Sequence, residues 1–283
     1  MKIKILGTAA AEGWPGIFCE CPSCKRARKL GGKNLRSRSS LMLGEEYKVD
    51  LPPDTYLHLL KYNLHFSKLK HLFITHAHVD HWAPTDLLMR RHPPFTQTPV
   101  PLLKIYGNKL VKKWMYEMME KMEKGFEENR YSLQFRLVEP FRTFKAGELE
   151  VFPLLANHAR NQTCYNYLFS TTSWSFLQAF DTGWYSEETW RELRKVASKK
   201  PLDLVIMDCT NGKINGGKQG GHLGIKMVVE MKEKLLAQGN LKSNCRFIAT
   251  HFSHGGALLH QELRKILSPE GIEVAFDGME TFL

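Results

Sequence analysis

Short apolar runs, each broken by Gly, Pro or a polar cluster, recur along this chain and alternate with longer stretches whose apolar positions repeat at helical spacing. Met1 to Gly7 alternates as a first strand, and strand-like runs follow at Ser40 to Leu43, Tyr47 to Val49 and Leu72 to Ile74. The series continues at Leu102 to Tyr106, Tyr131 to Val138, Leu149 to Leu155, Cys164 to Phe169, Trp174 to Phe180, Leu204 to Cys209 and from Arg246. Helical spacing is read after the Leu51-Pro52-Pro53-Asp54 cap to about Tyr62, and again through Trp82, Leu87 and Leu88. Further helices are expected from Asn108 to about Lys124, Ser186 to Ala197, about Ile225 to Leu236, and after Gly255-Gly256. Strands whose tips carry His or Asp, with helices between, predict an α/β fold of two sheets flanked by helices, with a site at one sheet edge. No linker or low-complexity tract interrupts residues 1–283, which read as a single domain.

The densest chemistry lies in Ile74-Thr75-His76-Ala77-His78-Val79-Asp80-His81. Alternate strand residues share a face, so His76 and His78 are expected to converge on one point. Asp80 and His81 would sit where the chain turns, adjacent and pointing apart, which predicts two ligand sets for two neighbouring ions. Such an N/O cluster suits Zn, Fe or Mn. The loop Arg90 to Pro99 breaks both periodicities and is expected over the site, as a lid.

The H-x-H-x-D-H run after an apolar strand resembles the signature of the metallo-β-lactamase superfamily, which implies an αββα four-layer sandwich. The resemblance further implies that His76, His78 and His158 bind one ion, that Asp80, His81 and His251 bind a second, and that Asp181 bridges both. Two dications roughly 3.5–4 Å apart repel and need a shared anion. Classical lactamases of the superfamily often carry Cys at the position of Asp181, so the oxygen ligand here favours a different two-metal hydrolase. The resemblance implies that such a pair of ions, Mn, Zn or Fe, would lower the pKa of a shared water and so supply a bridging hydroxide as the nucleophile. Asp80 is expected to be indispensable to that chemistry. His222 stands in a Gly-rich stretch (Gly216, Gly217, Gly220, Gly221) and matches the G-H-[LS] context of the phosphodiesterase branches, which implies a proton donor to the leaving group.

The six Cys divide into a cluster and three singles, Cys164, Cys209 and Cys245, which read as buried thiols. Cys19, Cys21 and Cys24 form C-x-C-x-x-C, an incomplete tetrahedral zinc site within a loop spanning about residues 14–38. His251 and His254 are three apart, so in an extended segment they face opposite sides, one toward the catalytic site and one completing Cys₃His. This loop paired with H-x-x-H resembles the cyclic-phosphate phosphodiesterases of bacterial phosphonate breakdown. A pyrroloquinoline-quinone biosynthesis family also carries a cysteine-rich N-terminal loop.

Charge adds a direction. The net charge of +11 implies attraction to anions, and Lys25, Arg26, Arg28, Lys29, Lys33, Arg36 and Arg38 form a run without acids. That run reads as a solvated face or as an electropositive lip that draws phosphate. No apolar run spans a bilayer and the N-terminus is too short for a secretory core, so a cytoplasmic protein without membrane partners is expected, able to form a homodimer. The expected activity is a two-metal phosphodiesterase acting on a small cyclic phosphate or nucleotide-like diester. Alternatives are an RNA-processing nuclease of the tRNA 3′-end type, a thioesterase or lactonase, and a catalytically weak metal-binding module; nucleic acid is the less favoured partner. His58, His65, His71, His92 and His260 read as structural or solvated, with His92 on a loop that reaches toward the cleft.

Overall fold

Alternation in the first strand sets the layers. In β1 (Lys2–Gly7), Ile3 and Ile5 point between two sheets, while Leu6 falls on the opposite face. The computed structural model describes residues 1–214 and 220–283; Gly216 and Gly217 lie outside the described residues. The chain continues through α1 (Pro22–Leu30), β2 (Ser40–Leu43), β3 (Tyr47–Val49), α2 (Thr55–Tyr62), β4 (His71–Phe73), β5 (Leu103–Gly107) and α3 (Lys109–Met122). Next come β6 (Leu133–Leu137), β7 (Phe144–Ala146), β8 (Leu149–Leu155), β9 (Tyr165–Ser170), β10 (Ser175–Ala179), α4 (Glu187–Ala197) and β11 (Leu202–Asp208). The last are α5 (Ile225–Ala237), β12 (Leu241–Thr250), α6 (His260–Leu267), β13 (Glu273–Val274) and β14 (Glu280–Phe282).

Two sheets of seven strands result, ordered β14-β1-β2-β3-β4-β5-β6 and β13-β12-β11-β10-β9-β8-β7. The first runs antiparallel from β14 to β3 and parallel from β3 to β6; the second runs antiparallel from β7 to β10 and parallel from β10 to β13. The same pairing order thus occurs twice, an internal relation invisible in the residue pattern. Between the sheets, Phe73 packs on Tyr167 and Phe169, and Phe169 on Phe176, with ring centres 5.0–5.9 Å apart. Burial of each such side chain is worth about 1.5–3 kcal/mol. Val111, Met115 and Met119 of α3 cover the outer face of the first sheet. Helices α1, α4, α5 and α6 cover the second through Ala27, Trp190, Val228 and Leu263. This helix, sheet, sheet, helix order is the αββα sandwich. Among the described residues no helix is long and apolar enough to cross a membrane.

Local departures have physical reasons. Strand β4 stops at Phe73 because Asp50 Oδ1 accepts the Thr75 N–H at 2.8 Å, which takes the backbone out of the ladder. The histidine motif is therefore a loop, and strand alternation does not explain how it converges. The apolar stretch after it forms a 3₁₀ helix, Pro84–Arg90, instead of an α-helix. Asp54 occupies the cap position of α2 without capping it; its Oδ2 accepts the Arg38 N–H at 2.8 Å. The basic run includes an unexpected helix, α1, with Pro22 in its first turn and the Cys21 sulfur accepting the Cys24 N–H.

Candidate metal centre

Three imidazole nitrogens meet at the carboxyl end of the first sheet's parallel strands. His78 Nδ1 lies 2.9 Å from His76 Nε2 and 3.1 Å from His158 Nε2. A second group, Asp80, His81, Asp181 and His251, is wholly buried. His81 Nε2 stands 3.0 Å from Asp80 Oδ2 and 2.5 Å from Asp181 Oδ2, and His251 Nε2 stands 2.9 Å from Asp181 Oδ1. Asp181 joins the groups, since the same Oδ2 lies 3.4 Å from His76 Nε2. Asp80 and His81 thus aim at one cluster and do not diverge, since a turn can bring adjacent side chains to one point.

These atoms crowd without satisfying one another. His81 Nε2, His251 Nε2 and Asp181 Oδ1 are buried and make no hydrogen bond despite their short separations. The approach is close, but the angles are wrong for an N–H aimed at oxygen: the lone pairs converge on shared points. Tetrahedral ligands at bond lengths of about 2.0–2.1 Å sit about 3.3–3.4 Å apart, near the spacings here. Buried His and Asp residues in this arrangement fit a metal site.

The other ring nitrogens are anchored. His81 Nδ1 bonds Asp50 Oδ2 at 2.7 Å, His76 Nδ1 bonds Thr75 Oγ1 at 3.0 Å, and Thr75 Oγ1 also donates to Asp50. His251 Nδ1 bonds Thr210 Oγ1 at 2.8 Å, which donates onward to Asp208, and His158 Nδ1 bonds the Gly221 carbonyl at 3.2 Å. This network assigns the proton to Nδ1 and leaves the inward Nε2 bare. Burial holds His76 and His158 neutral, below the ordinary histidine value.

Backbone conformation helps aim the donors. Asp181, His251 and the supporting Asp50 have left-handed backbones, with φ of 44°, 60° and 58°. A non-Gly residue there costs about 1–3 kcal/mol, and Asn63, Ser132, Phe141 and Ala257 share that conformation away from the donors. Gly183 is glycine for another reason: a Cβ would collide with the Gly220 carbonyl, and its N–H bonds the Asn157 carbonyl at 2.7 Å, tying the Asp181 turn to the His158 loop.

His222 stands beside both groups, its ring centre 4.7 Å from that of His158 and 5.7 Å from that of His251. Its Nδ1 lies 2.8 Å from Asp208 Oδ2. Burial disfavours its charge, but Asp208 outweighs burial and pushes the imidazole up to about 9. Sequence reasoning missed Asp208, Thr210, Asp50 and Thr75, although Asp50 and Asp208 share the signal that marked Asp181: a carboxylate at the tip of an apolar strand.

A separate cluster gathers Cys19, Cys21, Cys24 and His254. His254 Nδ1 lies 3.8 Å from Cys19 Sγ and 3.6 Å from Cys21 Sγ, close to the sulfur–nitrogen spacing of about 3.6 Å in tetrahedral zinc. The Cys24 N–H brings the Cys21 thiol down to about 6, and burial pushes Cys24 up to about 11. Gly16 leaves room for the cluster, as a Cβ there would press on His254 and Cys19. His251 and His254 do reach different clusters, but through the kink at His251 and a 3₁₀ turn, not through an extended segment. Glu12 reaches this turn, accepting the Ser253 hydroxyl at 2.5 Å.

The remaining expected features lie apart from the donors. His92 bonds the Thr96 carbonyl of its own loop at 2.8 Å, and Thr96 and Val100 of that loop border an apolar cavity of about 580 Å³ with Tyr56, Leu59 and Phe66. The loop packs toward α2. In the basic run, Arg26 pairs with Glu262, Arg28 with Glu20 and Arg38 with Asp54, while Arg36 is buried against Thr8 and the Ala275 carbonyl. Those four cations serve the fold.

Residues 54–252 match the family described as the beta-lactamase superfamily domain. The chain belongs to that superfamily. Among solved structures it is similar to a diphosphatase from the PhnP family (22% identity, TM-score 0.75, covering 100% of this chain and 97% of the other). It is similar also to zinc-bound PqqB from Methylobacterium extorquens (16%, 0.73, 100% of both) and to the short form of human tRNase Z (19%, 0.64, 100% and 99%). No curated protein sequence matches it. The superfamily domain and its buried donor set make this beta-lactamase superfamily member a metal-dependent hydrolase.

Proposed function

We propose that this hydrolase is a two-metal phosphodiesterase acting on a small cyclic phosphate or nucleotide-like phosphodiester. In this reading His76, His78 and His158 hold one ion, Asp80, His81 and His251 the other, and Asp181 both, with Cys19, Cys21, Cys24 and His254 holding a structural zinc. Two such ions, Mn, Zn or Fe, supply an activated water and neutralise phosphate charge.

The observation that carries the reading is the pairing of His222 with Asp208 beside the donor cluster. With Nδ1 turned to Asp208, the His222 Nε2 has no partner among the described residues. A protonated His222 can give its Nε2 proton to a departing alkoxide, the poor leaving group of a phosphodiester. Structural similarity to a PhnP-family diphosphatase and to tRNase Z supports a phosphate-centred substrate. The test is turnover of bis(4-nitrophenyl) phosphate by protein loaded with Mn²⁺, Zn²⁺ or Fe²⁺, beside a thioester and a lactam. Turnover of the diester and its loss in Asp80→Ala are expected; no diester hydrolysis with any of the three metals refutes the reading.

A further inference from the structure

A band of positive charge crosses the outer edge of the first sheet, and the proposed small-substrate chemistry leaves it unused. Strand β6 ends that sheet. Residues 104 and 106 share one strand face, as do their neighbours 134 and 136, and Tyr106 belongs to the core between the sheets. At that edge Lys104 and Arg136, with Glu139 and Arg142 and with Phe144 and Lys145 of β7, border an open cavity of about 420 Å³. On the outer face, Lys109, Lys112, Lys113 and Tyr116 of α3 border a second cavity of about 420 Å³. Leu137, 54% exposed, borders both, so the cations straddle a single exposed strand.

Unlike the run at residues 25–38, these charges are largely unspent. Lys113 has Glu117 at 3.8 Å and Arg142 has Glu139 at 2.8 Å. Among the described residues no ion pair joins Lys104, Lys109, Lys112, Arg136 or Lys145 to an acid. The band also begins at the catalytic edge. Strands β4, β5 and β6 run parallel, so their carboxyl ends share one edge. Asn108, directly after β5, donates to the Thr163 carbonyl at 2.5 Å in the loop that follows His158.

We propose that this band binds a single-stranded polynucleotide. Evenly spaced phosphates meet the five unpaired cations, and an unstacked base finds the exposed Tyr116 ring; the Phe144 ring is already stacked on Tyr106, centres 5.0 Å apart. The Lys112 ammonium lies 5.5 Å from the Tyr116 ring centre, so charge and stacking surface are presented together. Two small cavities divided by a strand ridge take separate bases, not the flank of a duplex. Binding stands independently of the phosphodiesterase reading; only delivery of a diester to the donors rests on it.

The test is fluorescence anisotropy of labelled 12-nucleotide single-stranded RNA and DNA with full-length Asp80→Ala protein, which separates binding from cleavage. Salt-dependent binding is expected, with a slope of log K against log salt of about −3.5 for five phosphate contacts at about 0.7 each. Lys109→Glu/Lys112→Glu/Arg136→Glu should weaken binding at least about tenfold and flatten the slope by about 2, while bis(4-nitrophenyl) phosphate turnover in the Asp80-containing protein stays unchanged. Preference for RNA or for DNA assigns the sugar, and either supports the proposal. Should the triple variant fail to fold, Lys112→Gln carries the test, with a slope change of about 0.7. Unaltered affinity in the folded variant overturns the proposal, as does equal affinity for a duplex or binding to phosphatidylserine vesicles in place of polynucleotide. Self-association of the variant without any polynucleotide binding by the parent also overturns it, and assigns the cations to protection of the strand edge.

Discussion

Asp208→Asn is the sharpest probe of the proposed proton donor. Asp208 Oδ1 accepts two backbone N–H groups, from Thr210 at 2.9 Å and Leu223 at 3.1 Å, while Oδ2 accepts Thr210 Oγ1 at 3.0 Å and His222 Nδ1 at 2.8 Å. The two N–H groups will keep the amide oxygen of Asn at the Oδ1 position. Its NH₂ then faces His222 Nδ1, where a donor meets a donor, and the imidazolium is disfavoured. The rise of His222 from its ordinary 6.5 to about 9 corresponds to about 3.4 kcal/mol, or a factor of about 300 in proton affinity. Without a protonated donor at this position, kcat for a diester with an alkoxide leaving group should fall by about 10²–10³, within the range of general-acid catalysis. A 4-nitrophenolate group leaves without a proton, so kcat for bis(4-nitrophenyl) phosphate should fall only a few-fold. Both rates are measured on the same preparation, with metal content by atomic emission as a control. Equal losses for the two substrates, at unchanged metal content, refute the role of His222 as the acid.

Cys24→Ala should remove one equivalent of zinc and lower the unfolding temperature while the His/Asp donors keep their metals; unchanged stoichiometry would show that the four-residue cluster holds no ion. Asp181→Ala should reduce the metal bound at the His/Asp site, because both donor groups lose the carboxylate between them; full occupancy in that variant contradicts the bridging assignment. Lys48 is wholly buried, with its ammonium on Ser40 Oγ, and burial brings it down to about 7. Between pH 7 and 10.5 the unfolded chain holds a proton that the folded chain lacks, so stability should rise with pH across that window. The penalty is fully present below pH 7 and amounts at most to about 5 kcal/mol. Lys48→Met should therefore stabilise the fold by several kcal/mol in urea melts at pH 6 and much less at pH 10; a gain independent of pH is the contrary result.

The residue pattern by itself carried most of the alternation of strands and helices, missing α1 and the 3₁₀ character of Pro84–Arg90, and it concentrated attention on strand tips, because an imidazole or carboxylate after a buried apolar run is a local signal. His76, His78, Asp80, His81, His158, Asp181 and His251 were all legible in that way, as were Cys19, Cys21 and Cys24 from their spacing. Reasons were less legible than residues. His76 and His78 converge because Asp50, just past the end of β3, pulls the Thr75 N–H out of the ladder, and no pattern within the motif encodes that contact. His251 and His254 part company through a left-handed residue and a 3₁₀ turn. The charges tell the same story: residues 25–38 look like a free cationic lip until Glu262 and Asp54 arrive from other segments and the nearby Glu20 pairs with Arg28. The unpaired cations of α3 and β6 become a band only because β6 ends a sheet. Residue type and spacing are local, and the sequence carries them alone. Which lone pairs share a point and which charges lack a counterion depend on strand order, which only the tertiary fold decides.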